Sequence, residues 1–254
     1  MKSLIKQKAF EAGFAACGIT TADPVDQEAY LKGAISEGRI GSMNWLARNP
    51  EKRCDPTSLL PGARSVICCA LQYGGSGIRG VIASEAKQSP LTQKSKARFA
   101  RGQDYHEVVR EKLEELWNNI KQHALEARAK FCVDTSPILE KALAARAGIG
   151  WIGKHTILLN EKIGSWFVLG EIITDLEIES DEPAKDLCAD CDLCINACPT
   201  NALKASRTLD ANLCVSYLTI EHKGEVPSHM RKHVSQDTYG CDLCQQACPY
   251  NVNK

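Results

Sequence analysis

At 254 residues, with 44% hydrophobic side chains and 31 basic against 31 acidic ones, the chain is long enough for one large or two modest globular units and carries no net charge. That balance gives no bulk attraction for a polyanion, so any nucleic-acid contact has to come from a local patch. There is no run of eighteen apolar residues, hence no expected membrane span, and the charged start M-K-S-L-I-K-Q-K lacks the apolar centre of a signal peptide.

Helical spacing of Leu4, Ile5, Ala9, Phe10, Phe14 and Ala15 predicts a helix over 1–17, ended by Gly18, with Ile19-Thr20-Thr21 opening a strand. Asp23, in A-D-P, is the expected cap of a second helix over 26–37. Residues 38–53 read as a loop with a short helix. Pro61 to Arg64 turn into S-V-I-C-C-A-L, a strand buried on both faces, with Cys68 and Cys69 as small core residues. The stretch 74–97 has no period and is expected to be a flexible surface loop or insertion, its basic residues solvated.

A helix is predicted from Asp104 to about Lys130, with Val108, Val109, Leu113, Leu116, Trp117, Ile120 and Leu125 as its apolar face. A short strand, F-C-V-D, ends in Asp134, and Pro137 opens a helix over 138–147. By spacing alone Asp134 is the cap of that helix. G-I-G-W-I-G-K fits neither a Walker loop nor a dinucleotide fingerprint. The strands I-L-L and S-W-F-V-L-G-E-I-I-T follow. The acidic stretch 177–186 then divides the chain into units 1–177 and 178–254.

Eight of the thirteen cysteines lie in the second unit, and thirteen cysteines without a secretory signal imply a reducing, cytoplasmic setting. The run C-A-D-C-D-L-C-I-N-A-C-P has the C-x2-C-x2-C-x3-C-P spacing of a [4Fe–4S] ligand set, and C-D-L-C-Q-Q-A-C-P repeats most of it. In such pairs the fourth cysteine of each run serves the other cluster. That rule assigns Cys188, Cys191, Cys194 and Cys248 to the first cluster, and Cys198, Cys241 and Cys244 to the second. The second run lacks its leading cysteine, with Thr238 at the ligand spacing, so the lone Cys214 is the expected eighth ligand. Zinc also uses C-x2-C pairs but suits two triplet-like runs ending in C-P poorly.

The segments V-D-T-S-P-I-L-E-K-A-L-A-A-R-A-G-I-G-W-I-G-K-H-T, A-R-F-A-R-G-Q-D-Y-H, C-V-S-Y-L-T-I-E-H-K-G and R-C-D-P-T-S-L-L-P-G-A-R-S-V-I together resemble the epoxyqueuosine reductases over nearly the whole chain. The resemblance implies an α/β (α+β) protein. Its mixed-sheet, nitroreductase-like cobalamin-binding domain, related to the reductive dehalogenases, precedes a ferredoxin-like domain with two [4Fe–4S] clusters. It implies reduction of the epoxide of epoxyqueuosine at the wobble position of tRNA, with electrons passing from the clusters to cobalamin. An external electron donor, a tRNA substrate and a monomeric chain are expected. By the same resemblance Asp134 is the proton donor, which calls for a raised pKa from desolvation. Arg53, Lys154 and Ser216 match the cobalamin pocket; His222 and Lys223, with Arg231, Lys232 and His233, form a basic cluster that either offers phosphate contacts to tRNA or is a solvated loop. His155 departs from the commoner Asn. The family continues past C-P-Y-N with a tail that this sequence, ending at Lys254, does not carry.

Two other readings stay open at this level. In one, the first unit only docks a partner for an electron-transfer protein, and no cavity is expected. In the other, a corrinoid reductase acts on a small molecule, and the cavity has no basic rim.

Overall fold

The computed structural model describes residues 1–73, 96–102, 104–252 and 254. In chain order its first half runs α1 (Lys2–Glu11), β1 (Ala16–Thr21), α2 (Glu28–Ser36), α3 (Pro50–Cys54), β2 (Ser65–Gln72) and α4 (Tyr105–Lys121). Then come β3 (Ala129–Cys132), α5 (Glu140–Arg146), β4 (Trp151–Ile152), β5 (Leu158–Leu159) and β6 (Phe167–Thr174). The cysteine region adds α6 (Leu193–Asn196), β7 (Leu203–Ala205), β8 (Thr208–Leu209), α7 (Val215–Ile220) and α8 (Leu243–Gln246). No helix among the described residues is long and apolar enough to cross a membrane.

The central sheet has the order β1-β2-β6-β3. Where a mixed sheet was expected, these strands pair antiparallel throughout. β2 and β6 are buried along nearly their whole length because helices cover both faces. Alternation sorts their side chains. Ile67, Cys69, Leu71 and Ile172 pack with Ile5 and Ala9 of α1 and with Val109, Leu113, Leu116 and Ile120 of α4. Val66, Cys68, Ala70, Leu169 and Ile173 pack with Ala142, Leu143 and Ala144 of α5. The result is a three-layer α/β/α unit with Cys68 and Cys69 inside it, one on each face.

Several boundaries differ from the periodicity. α1 stops at Glu11 because Gly13 takes a φ of +92°, so β1 starts at Ala16 and Gly18 lies inside the strand. Asp23 caps nothing; its carbonyl accepts from Arg146 Nη2 at 2.8 Å, and the residue before α2 is Gln27. α4 ends at Lys121, leaving Leu125 73% exposed in the following turns. Of the expected insertion 74–97, residues 74–95 lie outside the described residues. Lys96 and Ala97 belong to the fold: Lys96 bridges to Tyr239, and the Ala97 N–H donates to the Tyr239 carbonyl at 2.8 Å.

The acidic stretch before the cysteines is fastened to the sheet. Asp181 accepts the Ile19 N–H at 2.9 Å and an ion pair from Lys6 at 2.7 Å, and the Ile178 N–H reaches Ser65 Oγ at 3.0 Å. The far end is held as firmly. Ser165, just before β6, donates its N–H to Asn251 Oδ1 at 2.7 Å and its hydroxyl to Gln245 Oε1 at 2.8 Å, all buried. Gly164, at φ +69°, makes this possible, since a Cβ there would collide with the Asn251 side chain.

Candidate redox and substrate site

The two C-D-L-C runs fold alike, each feeding one helical turn, α6 or α8, and these turns pack on each other. The aspartate before each turn is used for docking. Asp192 Oδ1 takes Lys154 Nζ at 2.7 Å, and Asp242 Oδ2 accepts the Arg98 N–H at 2.8 Å.

The eight thiols line two hollows. The smaller, of about 40 Å³, is walled by Cys188, Cys191, Cys194 and Cys248. The larger, of about 910 Å³, carries Cys198, Cys214, Cys241 and Cys244 in its wall. None of the eight forms a disulfide. N–H groups already point at two of the sulfurs: Trp151 Nε1 donates to Cys188 Sγ and the Ala202 N–H to Cys198 Sγ, each at 3.3 Å. Burial pushes the Cys244 thiol up to about 12, and Cys241, Cys214, Cys194 and Cys198 act in the same direction. Such a group of thiols ionises together only around a positive centre, because metal ligands of this kind are thiolates. The donor set therefore fits iron–sulfur clusters.

The larger cavity reaches from these cysteines to Asp134, which it shares with Tyr105, His106, Ser216 and Tyr217. Its volume is at the upper end for small-molecule sites. Asp134 follows β3 with φ +35°, an unfavourable backbone for an L residue that the surrounding structure has to enforce. The alternative role falls away, since Leu139 precedes α5 and Asp134 does not cap it. Tyr105 donates its hydroxyl to Asp134 Oδ2 at 2.6 Å, and His106 Nε2 lies 3.3 Å from the same oxygen. Burial, and next the Asp134 bond, raise the Tyr105 phenol, so it stays a donor. Asp104 starts α4 by accepting the His106 N–H at 3.0 Å and also holds His106 Nδ1 at 2.6 Å. The Asp134 side chain is 54% exposed, so the chain by itself does not supply the desolvation expected of it.

Burial falls instead on two acids behind it. Glu140, at the start of α5, is pushed up to about 7 by burial and then by Asp134. Glu171 of β6 is fully buried opposite Cys68 and Cys132, with no partner for either carboxylate oxygen among the described residues. Burial holds its carboxyl well above the usual range, with Glu140 and Asp134 adding to the effect. The folded state thus keeps a proton that the unfolded chain releases above about pH 4.3, and each unit of such a shift is worth about 1.4 kcal/mol. The contribution of Glu171 to stability therefore falls as pH rises from there. Glu171→Gln should unfold at the same temperature as wild type at pH 4 and below, and at a higher one at pH 8. A difference that does not grow with pH would contradict a protonated Glu171.

The remaining expected contacts divide. Ser216, on α7, is in the cavity wall. Arg53 is not among the lining residues; it stacks on Trp45 at 5.0 Å and donates to the Trp45 carbonyl at 2.9 Å. Lys154 borders the smaller hollow, its amine held by Asp192. His222 and Lys223 follow directly on Ile220 and Glu221, which line the large cavity, and His222 Nε2 sits 3.2 Å from the Glu225 carbonyl. Tyr105, His106, Glu140 and Glu171 are the groups the sequence reading left without a role. Glu171 had a visible signal, a lone acid inside the apolar run V-L-G-E-I-I.

Comparison with known proteins matches residues 53–135 to the family model "Epoxyqueuosine reductase QueG, DUF1730" and residues 187–251 to "4Fe-4S double cluster binding domain". A curated epoxyqueuosine reductase from Xanthomonas campestris is 42% identical over 249 residues, covering 97% of this chain and 69% of the relative. The solved epoxyqueuosine reductase of Streptococcus thermophilus superposes with a TM-score of 0.87 at 36% identity, over 99% of this chain and 66% of that one. Another, crystallised with an epoxyqueuosine-modified tRNA-Tyr stem loop, gives 0.85 at 35%, over 98% of this chain and 65% of that one. A reductive dehalogenase shares the fold alone, with a TM-score of 0.54 at 18% identity over 97% of this chain and 31% of that one. The chain spans about two thirds of the length of the epoxyqueuosine reductases it matches.

Proposed function

This chain belongs to the epoxyqueuosine reductase family, and we propose that it reduces the epoxide of epoxyqueuosine in tRNA to the alkene of queuosine. The observation that carries the reading is one cavity, of about 910 Å³, walled by Asp134 on one side and by Cys198, Cys214, Cys241 and Cys244 on another. Loss of the epoxide oxygen as water takes two electrons and two protons. Two [4Fe–4S] clusters, held by Cys188, Cys191, Cys194 and Cys248 and by Cys198, Cys214, Cys241 and Cys244, together with a cobalamin in the cavity, would supply the electrons.

The chain's own residues handle the proton and the position. Asp134 faces the cavity at the end of β3 and would hold the first proton at its free oxygen, Oδ1. Tyr105, on the other oxygen, fixes the carboxyl's orientation and stays protonated while doing so. A ligand filling the cavity would remove water from Asp134 and supply the desolvation the chain lacks. Ser216 would contact the cofactor. Arg53 and Lys154, outside the cavity wall, would act on it through their neighbours. His222 and Lys223, beside the cavity-lining turn at Glu221, would meet tRNA phosphates. Residues 1–177 would form the substrate and corrin unit and 178–254 the cluster unit, working as a monomer in the reducing cytoplasm with an external electron donor.

The test is conversion of an epoxyqueuosine-bearing tRNA stem loop by the reconstituted chain with cobalamin and a chemical reductant. Mass spectrometry should show loss of one oxygen atom. An unchanged stem loop, under conditions in which the Xanthomonas relative converts it, would count against the activity.

A further inference from the structure

His155 sits between the two hollows and lines both of them, with only 3% of its surface exposed. Its tautomer is set within the chain: Nδ1 accepts the Ile157 N–H at 3.1 Å, so the ring proton resides on Nε2. Nε2 is buried and has no partner among the described residues. A buried donor left unpaired costs about 1–3 kcal/mol, which calls for an acceptor that the chain itself does not provide. The ring is also held in place from below. A Cβ on Gly153 would come within 2.9 Å of His155 Cε1 and 3.3 Å of Nδ1, so only glycine leaves the imidazole its position.

The smaller hollow narrows what that acceptor is. The other polar side chains in its wall are engaged, Lys154 Nζ with Asp192 at 2.7 Å and the Tyr250 hydroxyl with the Leu187 carbonyl at 3.2 Å. What remains in that wall is cysteine sulfur, and Trp151 Nε1 already donates to one of these sulfurs, Cys188 Sγ. Hydrogen bonds to cluster sulfurs stabilise the extra negative charge of the reduced form and so raise the reduction potential.

We propose that His155 donates its Nε2–H to a sulfur of the cluster bound by Cys188, Cys191, Cys194 and Cys248, and thereby raises that cluster's potential. This makes His155 a tuning residue for electron transfer and not a cobalt ligand. It rests on the cluster assignment given under the proposed function.

The test is an EPR-monitored redox titration of the cluster-loaded chain as wild type, His155→Leu and His155→Gln. The Leu variant should move one cluster to a more negative potential, by about tenfold in its reduced-to-oxidised ratio, or about 59 mV for a one-electron couple. The Gln variant, which keeps an N–H, should recover most of the shift. In a Cys214→Ser background, which keeps only the Cys188 cluster, the Leu shift should persist. An unchanged potential with both clusters intact, or a shift confined to the other cluster, overturns the proposal. Should the Leu variant fail to assemble, the wild type decides alone: isotopically labelled histidine nitrogen should couple to the reduced Cys188 cluster in pulsed EPR, and no coupling overturns the proposal. A wild type that binds no four-iron cluster at these cysteines instead removes the ligand assignment beneath it.

Discussion

Asp134→Asn loses turnover by about 10²- to 10⁴-fold, the usual contribution of a positioned general acid, while iron content and corrin binding stay at wild-type levels. The substitution keeps the size of the side chain and the contacts of Tyr105 and His106 near its oxygen, at 2.6 and 3.3 Å, but removes the exchangeable acid proton. Tyr105→Phe should lie between the two, because it leaves the acid in place and removes only the bond that orients it. Single-turnover rates on the modified stem loop, measured beside iron analysis, check both. An Asn variant that turns over at the wild-type rate removes Asp134 as the proton source.

The second large effect concerns Cys214. Changing it to Ser should take bound iron from about eight to about four atoms per chain and abolish turnover, because one cluster loses its eighth-counted thiolate. Cys188→Ser should give the same iron count but leave the other cluster, so the two variants should retain different EPR signals. The walls of the two hollows are the basis for this: Cys214 lines the large cavity with Cys198, Cys241 and Cys244, and Cys188 lines the small one with Cys191, Cys194 and Cys248. Full iron in Cys214→Ser would show that another side chain, with Thr238 at the ligand spacing, completes that set.

What could be read from the sequence was the part with strong local rules. The β2 run S-V-I-C-C-A-L is a doubly buried strand because both of its faces are apolar, and it carries Cys68 and Cys69 into opposite layers. The cysteine runs could be parsed because ligand spacing is stereochemical and local. Helix ends were harder. Gly13 ended α1 where the apolar period ran on, and the extension of α4 to Leu125 followed a pattern that tertiary packing did not use. The site's long-range pairs left little trace in spacing. Nothing in D-Y-H foretells that Tyr105 bonds to Asp134, or that His155 lines two hollows. Those meetings depend on the sheet order, which sets β3 beside β6 and the cysteine region against Ser165.

The measurement that bears most directly on the whole account is retention of cobalamin by the cluster-loaded chain through size exclusion, read by corrin absorbance beside iron content. One corrin per chain should co-elute, and a bulky substitution in the cavity wall, Ser216→Trp, should release it without loss of iron. If wild-type chain with both clusters elutes free of corrin, the cavity beside Asp134 is not a corrin site and the proposed chemistry has no seat there.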